Sequence, residues 1–250
     1  ASTRPMELRD AHCHYHFAEV TRDAVAQARA AGLGRAMING TSPADWDAVA
    51  ERVLADPRHL APFGLHPWHA ASAPPGWADG LRARLIAHPA AGVGEIGLDH
   101  RVEGHDPAVQ ERAFRTQLAL AAELDRPASV HCVRAFGALA SVLRSADVPA
   151  RGFLLHAWGG PAELVPELVR RGAYFSFGPG HLSPRRAALA AQFAAAIPRD
   201  RVLAETDAPS GGARPADLVA AHAGLARIWG VAPDAAAATA SANFARLFGA

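Results

Sequence analysis

Eight short apolar runs, each followed by a segment of helical period, set the strongest limit on what this chain can fold into. The runs are Glu7–Asp10, Ala36–Asn39, Ala61–Leu65, Gly92–Ile96, Ala128–His131, Gly152–His156, Ala173–Phe177 and Val202–Glu205. The helical segments lie near Glu19–Ala31, Pro43–Ala55, Gly76–Ala87, Pro107–Leu124, Phe136–Ser145, Ala162–Arg171 and Pro184–Ile197. Two more follow the last run, near Ala216–Trp229 and Pro233–Phe248. Apolar strands alternating with helices mark a parallel sheet built from βα units. The chain has 250 residues, half of them hydrophobic, and a one-domain (β/α)8 barrel takes about 250. The predicted fold class is therefore α/β, a (β/α)8 TIM barrel, with residues 6–250 as a single domain. Ala1–Pro5 reads as a disordered start or expression remnant. Ser42-Pro43 and Ser183-Pro184 predict helix starts, with a capping residue before a proline whose missing N–H costs nothing there. Gly32 and Gly172 predict helix stops.

The net charge of +1 gives no gross basic field to announce nucleic acid, although a local basic rim is compatible with it. All 25 basic residues are arginine, which excludes lysine chemistry such as a Schiff base or a carbamylated bridging lysine. Two cysteines, Cys13 and Cys132, make no disulfide framework in a chain of this size. No apolar run is long enough to span a bilayer, and the first residues carry no secretory h-region. The expectation is a cytoplasmic protein with no membrane association and no obligate protein partner.

Barrels of this kind carry their active sites at the C-terminal ends of the strands. The residues found there are Asp10-Ala11-His12-Cys13-His14, Gly64-Leu65-His66-Pro67, Glu95, His131, His156 and Glu205-Thr206-Asp207. A random scatter of 13 histidines would not select those places. His12 and His14 share one face of an extended chain, about 6.6 Å apart, so two imidazoles can converge on one ion. Alone, the pair fits a polar turn equally well, and His16 lies beyond the strand. Glu95 ends an apolar strand, where an unpaired carboxylate is costly to bury; it wants a cation, either metal or a structural arginine. His131 and His156 end adjacent strands facing it. Asp207 follows the last strand, next in a closed barrel to the first.

Six ligands with four nitrogens suit borderline divalent ions. Two such ions about 3.5–4 Å apart activate a water and stabilise both oxygens of an in-line displacement. The expected cofactors are thus two divalent metal ions, with Zn, Mn, Mg and Fe as candidates. His66 lines the mouth and either binds a substrate oxyanion or packs. Arg134 offers a charge-assisted phosphate contact or is a solvated helix-start arginine. Trp68 and Trp158 offer stacking surface or serve as core. Alternation turns Cys13 and Cys132 away from the centre as packing thiols; a Cys–His nucleophile pair is the alternative.

These residues together resemble the TatD family of metal-dependent deoxyribonucleases. The resemblance rests on Asp10-Ala11-His12-Cys13-His14, Gly64-Leu65-His66-Pro67, Gly94-Glu95-Ile96-Gly97-Leu98-Asp99, Gln110, Phe114 and Gln117. It continues through Val130-His131, Leu155-His156, Glu205-Thr206-Asp207-Ala208-Pro209, and Asn243 with Leu247-Phe248. It implies an amidohydrolase-type TIM barrel that hydrolyses DNA phosphodiesters. It also implies that His12, His14 and Asp207 hold one metal, Glu95 bridges, and His131 and His156 hold the second. By the same resemblance Asp207 and Glu95 are the catalytic carboxylates, Asp207 taking a proton from the attacking water, while Asp10 and Glu205 orient ligands. Three segments depart from the family: Val133-Arg134 after His131, Ala157-Trp158-Gly159-Gly160 after His156, and a loop cut to Ser210–Arg214 after Asp207.

Three functions compete on this basis. The first is a 3′-end deoxyribonuclease acting on DNA. The second is a hydrolase of a small ester, amide or phosphoester, favoured by the short loop and near-neutral charge. The third is a metal-binding scaffold without turnover.

Overall fold

The computed structural model describes residues 7–249; the expectation for Ala1–Pro5 lies outside them. The strands are β1 (Leu8–Cys13), β2 (Leu33–Ile38), β3 (Val93–Asp99), β4 (Ala128–Val133), β5 (Phe153–Leu155), β6 (Ala173–Phe177) and β7 (Val202–Ala204). The helices are α1 (Arg22–Ala30), α2 (Trp46–Ala55), α3 (Trp77–Ala87), α4 (Pro107–Glu123), α5 (Phe136–Ser145), α6 (Val165–Arg170), α7 (Ala187–Ala196), α8 (Leu218–Trp229) and α9 (Pro233–Phe248). β3 to β7 form one parallel sheet in chain order, and β1 pairs with β2.

Backbone hydrogen bonds carry the barrel across both seams between these sheets. At the first, the segment 60–63 lies between β2 and β3. Leu60 N–H donates to the Ala36 carbonyl and the Leu60 carbonyl accepts from Ile38 N–H, both at 2.9 Å, while Gly94 N–H donates to the Phe63 carbonyl at 2.9 Å. This segment is the expected third strand, Ala61–Leu65, and it makes isolated bridges rather than a regular strand. Pro62 has no N–H to give a ladder, so it serves only as an acceptor, for Gly40 at 2.9 Å. At the second seam Asp207 N–H donates to His12 at 2.9 Å and His14 N–H to Ala208 at 2.8 Å.

Alternation along the strands divides the core. Outward residues such as Ile96, Val130, Phe153 and Phe175 join the helices in one large cluster. Met37, Leu154, Tyr174 and Leu203 form a second cluster with Phe244, Leu247 and Phe248 of α9. Several local expectations shift. β1 runs through His12, and β3 runs on to Asp99. Helix α2 begins at Trp46, not at Pro43, because the Asp45 carboxylate turns back to accept the N–H groups of Thr41 and Ser42. The Ser183 hydroxyl donates to the Gly180 carbonyl instead of capping. Gly32 and Gly172 do stand after helices at φ 115° and 94°. No helix among the described residues is long and apolar enough to cross a membrane.

Candidate metal centre

Glu95, in the middle of β3 and 3% exposed, stands inside a shell of imidazole nitrogens. Its Oε1 lies 2.9 Å from both His131 Nδ1 and His156 Nε2, and 3.3 Å from His66 Nε2. Its Oε2 lies 3.2 Å from His14 Nε2 and 3.4 Å from His12 Nε2. Asp207 Oδ1 closes the far side, 3.4 Å from His14 Nε2 and 3.8 Å from His12 Nε2. The His12 and His156 rings stack at 3.8 Å. Asp207 itself sits at φ 55°, a backbone state uncommon for a residue with a Cβ and frequent at functional sites.

The outer partners of each ring fix what the inner nitrogen offers. His14 Nδ1 lies 2.9 Å from the Asn39 carbonyl, which can only accept. The proton therefore sits on Nδ1 of the neutral ring, and the Nε2 lone pair faces the centre. His131 Nε2 lies 3.1 Å from Asp99 Oδ2, so Nδ1 is the inward lone pair. His12 Nδ1 meets Ser129 Oγ at 2.7 Å. His66 is different in kind. Its Nδ1 accepts the Trp68 backbone N–H at 3.2 Å, which leaves Nε2 carrying the proton and pointing a donor at Glu95.

Three groups of side chains lie close enough to hold a cation, and the two without His66 offer inward lone pairs that fit a divalent ion. His12–Glu95–His156, His12–His14–Asp207 and His66–Glu95–His131 each bring their ligand atoms within 4.8 Å of one another. The Nε2 atoms of His12 and His14 approach to 3.3 Å, close enough for a proton or a metal cation to lie between them. Burial lowers the His14 pKa, but Asp207 and Glu95 outweigh it and raise it to about 10. Burial likewise opposes His156, yet Glu95 and Glu205 hold its pKa well above the ordinary imidazole value. Burial would push Glu95 up, and charge on His66, His156 and His12 holds it well below the usual range. Carboxylates that keep buried imidazoles protonated lie where a metal ion can replace those protons.

Other predicted residues fall in several places. Asp10 is buried and accepts from Thr206 N–H at 2.9 Å, Thr206 Oγ1 at 2.6 Å, Tyr15 O–H at 2.6 Å and His12 N–H at 3.3 Å. It ties β1 to the turn holding Asp207 and touches no inward ring nitrogen. Glu205 Oε2 accepts from Ser176 at 2.5 Å, while Oε1 and His156 Nδ1, 3.8 Å apart, are both buried without a hydrogen-bond partner. Trp158 does not reach the mouth. It is 1% exposed and packs edge-on against Phe136 and Phe175, because its position after β5 points outward beneath α5. Arg134 is exposed with φ 53° and does not line the mouth. Burial pushes the Cys13 thiol up and the Cys132 thiol to about 12, so neither supplies a thiolate nucleophile.

The mouth is a cavity of about 220 Å³ above Glu95 and Asp207, with Phe17, Trp68, Arg101 and Ser210 on its rim. A second cavity of about 430 Å³ adjoins it, sharing Asp207 and Ser210. Sequence reading missed Arg101, Ser129 and Asn39, and passed over Asp99. A signal for Asp99 existed. Glu95, Gly97 and Asp99 alternate onto one face of β3, and Gly97 cannot carry a side chain because a Cβ would lie 2.0 Å from the His131 carbonyl oxygen.

The family of TatD related DNases matches residues 9–249. A 3'-5' ssDNA/RNA exonuclease TatD from Cronobacter sakazakii is 34% identical over 193 residues, covering 74% of this chain and 70% of that protein. One from Citrobacter koseri is 29% identical over 245 residues, covering 93% and 94%. The crystal structure of a TatD homolog from Escherichia coli K12 superimposes with a TM-score of 0.90 at 27% identity, covering 97% of this chain and 98% of that one.

Proposed function

From the premise that this chain belongs to the TatD-related DNases, a family of metal-dependent hydrolases, we propose that it removes nucleotides from the 3′ end of single-stranded DNA or RNA. The observation that carries this reading is Glu95, one carboxylate within 3.4 Å of five imidazole nitrogens. In this proposal His12, His14, Asp207 and Glu95 would hold one divalent ion, and Glu95, His131 and His156 would hold a second. When bound, the ions supply Lewis acidity and an acidified water for attack on phosphorus.

The chain's own residues do the rest. The His66 Nε2–H, which faces Glu95 at 3.3 Å in the free site, would turn to a non-bridging phosphoryl oxygen of bound substrate, where charge grows in the transition state. Asp207 is held below its ordinary pKa, since contact with His14 and charge on His156 and His12 outweigh burial; it is therefore anionic at neutral pH and takes the proton of the attacking water. Arg101 and Trp68 grip the strand at the rim through charge and stacking.

Incubation of the purified protein with Mg²⁺, Mn²⁺ or Zn²⁺ and 5′-labelled single-stranded DNA or RNA tests this. Products should shorten stepwise from the 3′ end. Glu95→Gln should lower kcat/KM about 10³-fold, the equivalent of about 4 kcal/mol of lost metal-assisted stabilisation. A preparation that releases no nucleotide with any of the three metals rejects the nuclease reading.

One observation favours a second reading. The mouth, at about 220 Å³, is smaller than the roughly 300–1,000 Å³ of ordinary ligand sites, which suits a small phosphoester. Turnover of bis(p-nitrophenyl) phosphate with a kcat/KM above that for oligonucleotides would favour it.

A further inference from the structure

Asp99 is fully buried at the last position of β3, and it plays no part in the chemistry described above. Its Oδ2 lies 3.1 Å from His131 Nε2 and accepts the Trp68 indole N–H at 2.8 Å. Its Oδ1 accepts the Arg101 backbone N–H at 2.8 Å. The backbone N–H of Asp99 donates to the Gln110 side chain at 2.9 Å, and Gln110 donates back to the Asp99 carbonyl at 3.0 Å, so α4 fixes the residue in place. Two N–H groups that can only donate, those of the Trp68 indole and the Arg101 backbone, converge on this carboxyl beside His131.

Two of these partners face the site from different sides. Trp68 is 53% exposed at the rim, and its ring stands 4.7 Å from the His66 ring and 6.4 Å from the His131 ring. His131 is buried, with Nδ1 turned to Glu95. We propose that Asp99 is a positioning residue that sets two things at once. It holds the proton on His131 Nε2, so that Nδ1 is the metal-binding atom. It also pins the edge of Trp68, and the backbone that carries Arg101, so that the rim gripping the substrate is registered against the metal. This rests on the metal-centre reading above.

The chemistry of the alternatives is specific. An indole N–H and a backbone N–H can only donate, so a neutral amide in place of Asp99 must turn its NH₂ toward a donor on one side. Either His131 and Trp68 lose their shared acceptor together or the Arg101 backbone N–H loses its own, and in both cases His131 no longer faces a carboxylate. Outer partners of metal-binding histidines typically contribute 10- to 100-fold in metal affinity.

The test uses the metal-loaded full chain. Asp99→Asn should weaken Zn²⁺ retention against a chromogenic chelator by about 10- to 100-fold. Trp68→Phe keeps a ring but removes the donor; it should leave retention within about twofold and raise KM for single-stranded DNA with little change in kcat. Should Asp99→Asn fail to fold, long-range ¹H–¹⁵N spectra of the Zn²⁺-loaded wild type read the same claim directly. His131 should appear with Nε2 protonated and Nδ1 bound to metal, and the opposite tautomer overturns the proposal. A folded Asp99→Asn that holds Zn²⁺ as tightly as the wild type also overturns it, even with a lowered Tm, because a merely structural role would move only Tm. If the wild type itself retains no metal, it is the metal-centre reading that fails.

Discussion

At the scale of single residues, a hydrogen bond on the outer nitrogen of each ring decides its role. His14 and His66 are both buried histidines within 3.3 Å of Glu95, yet the partners on their Nδ1 atoms are opposite: a carbonyl oxygen for His14, a backbone N–H for His66. In the proposed centre His14 would thereby be a ligand and His66 a donor. His66→Ala should therefore lower kcat/KM by about 10²-fold, as loss of one transition-state donor does, while metal content by elemental analysis stays at the wild-type level. His14→Ala should lose metal. Loss of a metal equivalent from His66→Ala would sink the distinction. The six proposed ligands were legible in the sequence because a strand's period brings their side chains to one end of one barrel. The outer partners were not, since Ser129, Asn39 and Asp99 bind through contacts between strands, with His12 and Ser129 standing 117 positions apart. Trp158 stayed open between stacking surface and core for a related reason: a strand-end position states which end a residue occupies, but not whether its ring turns inward or under a neighbouring helix.

At the scale of elements, the helices were legible to within a few residues because helical period and apolar spacing are local. The third strand was overestimated because Pro62 removes a ladder donor that a count of apolar residues does not register. The contact of α8 with β1 carries a prediction of its own. His222 of α8 is 4% exposed; its Nε2 lies 3.3 Å from the Arg9 carbonyl, and its Nδ1 is buried without a partner. Nε2 must carry the proton, so charging the ring would place a cationic N–H on Nδ1 with nothing to accept it. Burial accordingly lowers this pKa to about 4, against a slight opposing effect of the Arg9 carbonyl. A histidine with a depressed folded pKa favours the fold at pH above its unfolded value of about 6.5. That stability is lost as pH falls from about 6.5 through 4, by an amount on the order of 3 kcal/mol. His222→Phe, neutral throughout, should flatten the dependence of urea-unfolding free energy on pH across that window. An unchanged slope would show that His222 is not a source of acid lability. The close pass of β3 against β4 predicts a larger effect. Gly97→Ala would force a Cβ to within 2.0 Å of the His131 carbonyl oxygen, where backbone cannot yield cheaply. It should lower stability by several kcal/mol, read as a fall in Tm, and weaken Zn²⁺ retention at the same time.

At the scale of the whole molecule, the proposed ligands come from β1 and the residue just past it, from β3 and β4, from just past β5 and from the turn after β7, so one small centre touches the first strand, the last strand's turn and both sheets. The seam between β1 and the turn at 206–208 is made of a few hydrogen bonds: Asp207 to His12, His14 to Ala208, and Thr206 with Asp10. Without metal, the carboxylates of this centre hold protons on His14 and His156; in the proposed metal-bound state the same carboxylates and rings would be drawn onto the bound metal at the seam. Binding to the native state alone adds RT ln(1 + [L]/Kd), about 2.7 kcal/mol at a hundredfold excess over Kd. For a chain of this length each kcal/mol shifts Tm by about 2–4 °C. Stripping the protein with a chelator should therefore lower Tm by roughly 5–10 °C, and adding Zn²⁺ or Mn²⁺ should restore it. Glu95→Gln and Asp207→Asn should both lose most of this increment, because the first lies between the two groups of ligands and the second closes the seam. A variant at exposed Arg134, which touches neither, should keep it. A chelated protein that melts at the temperature of the loaded one would mean that the barrel closes by its own hydrogen bonds and packing, and that metal adds chemistry to the fold without adding stability.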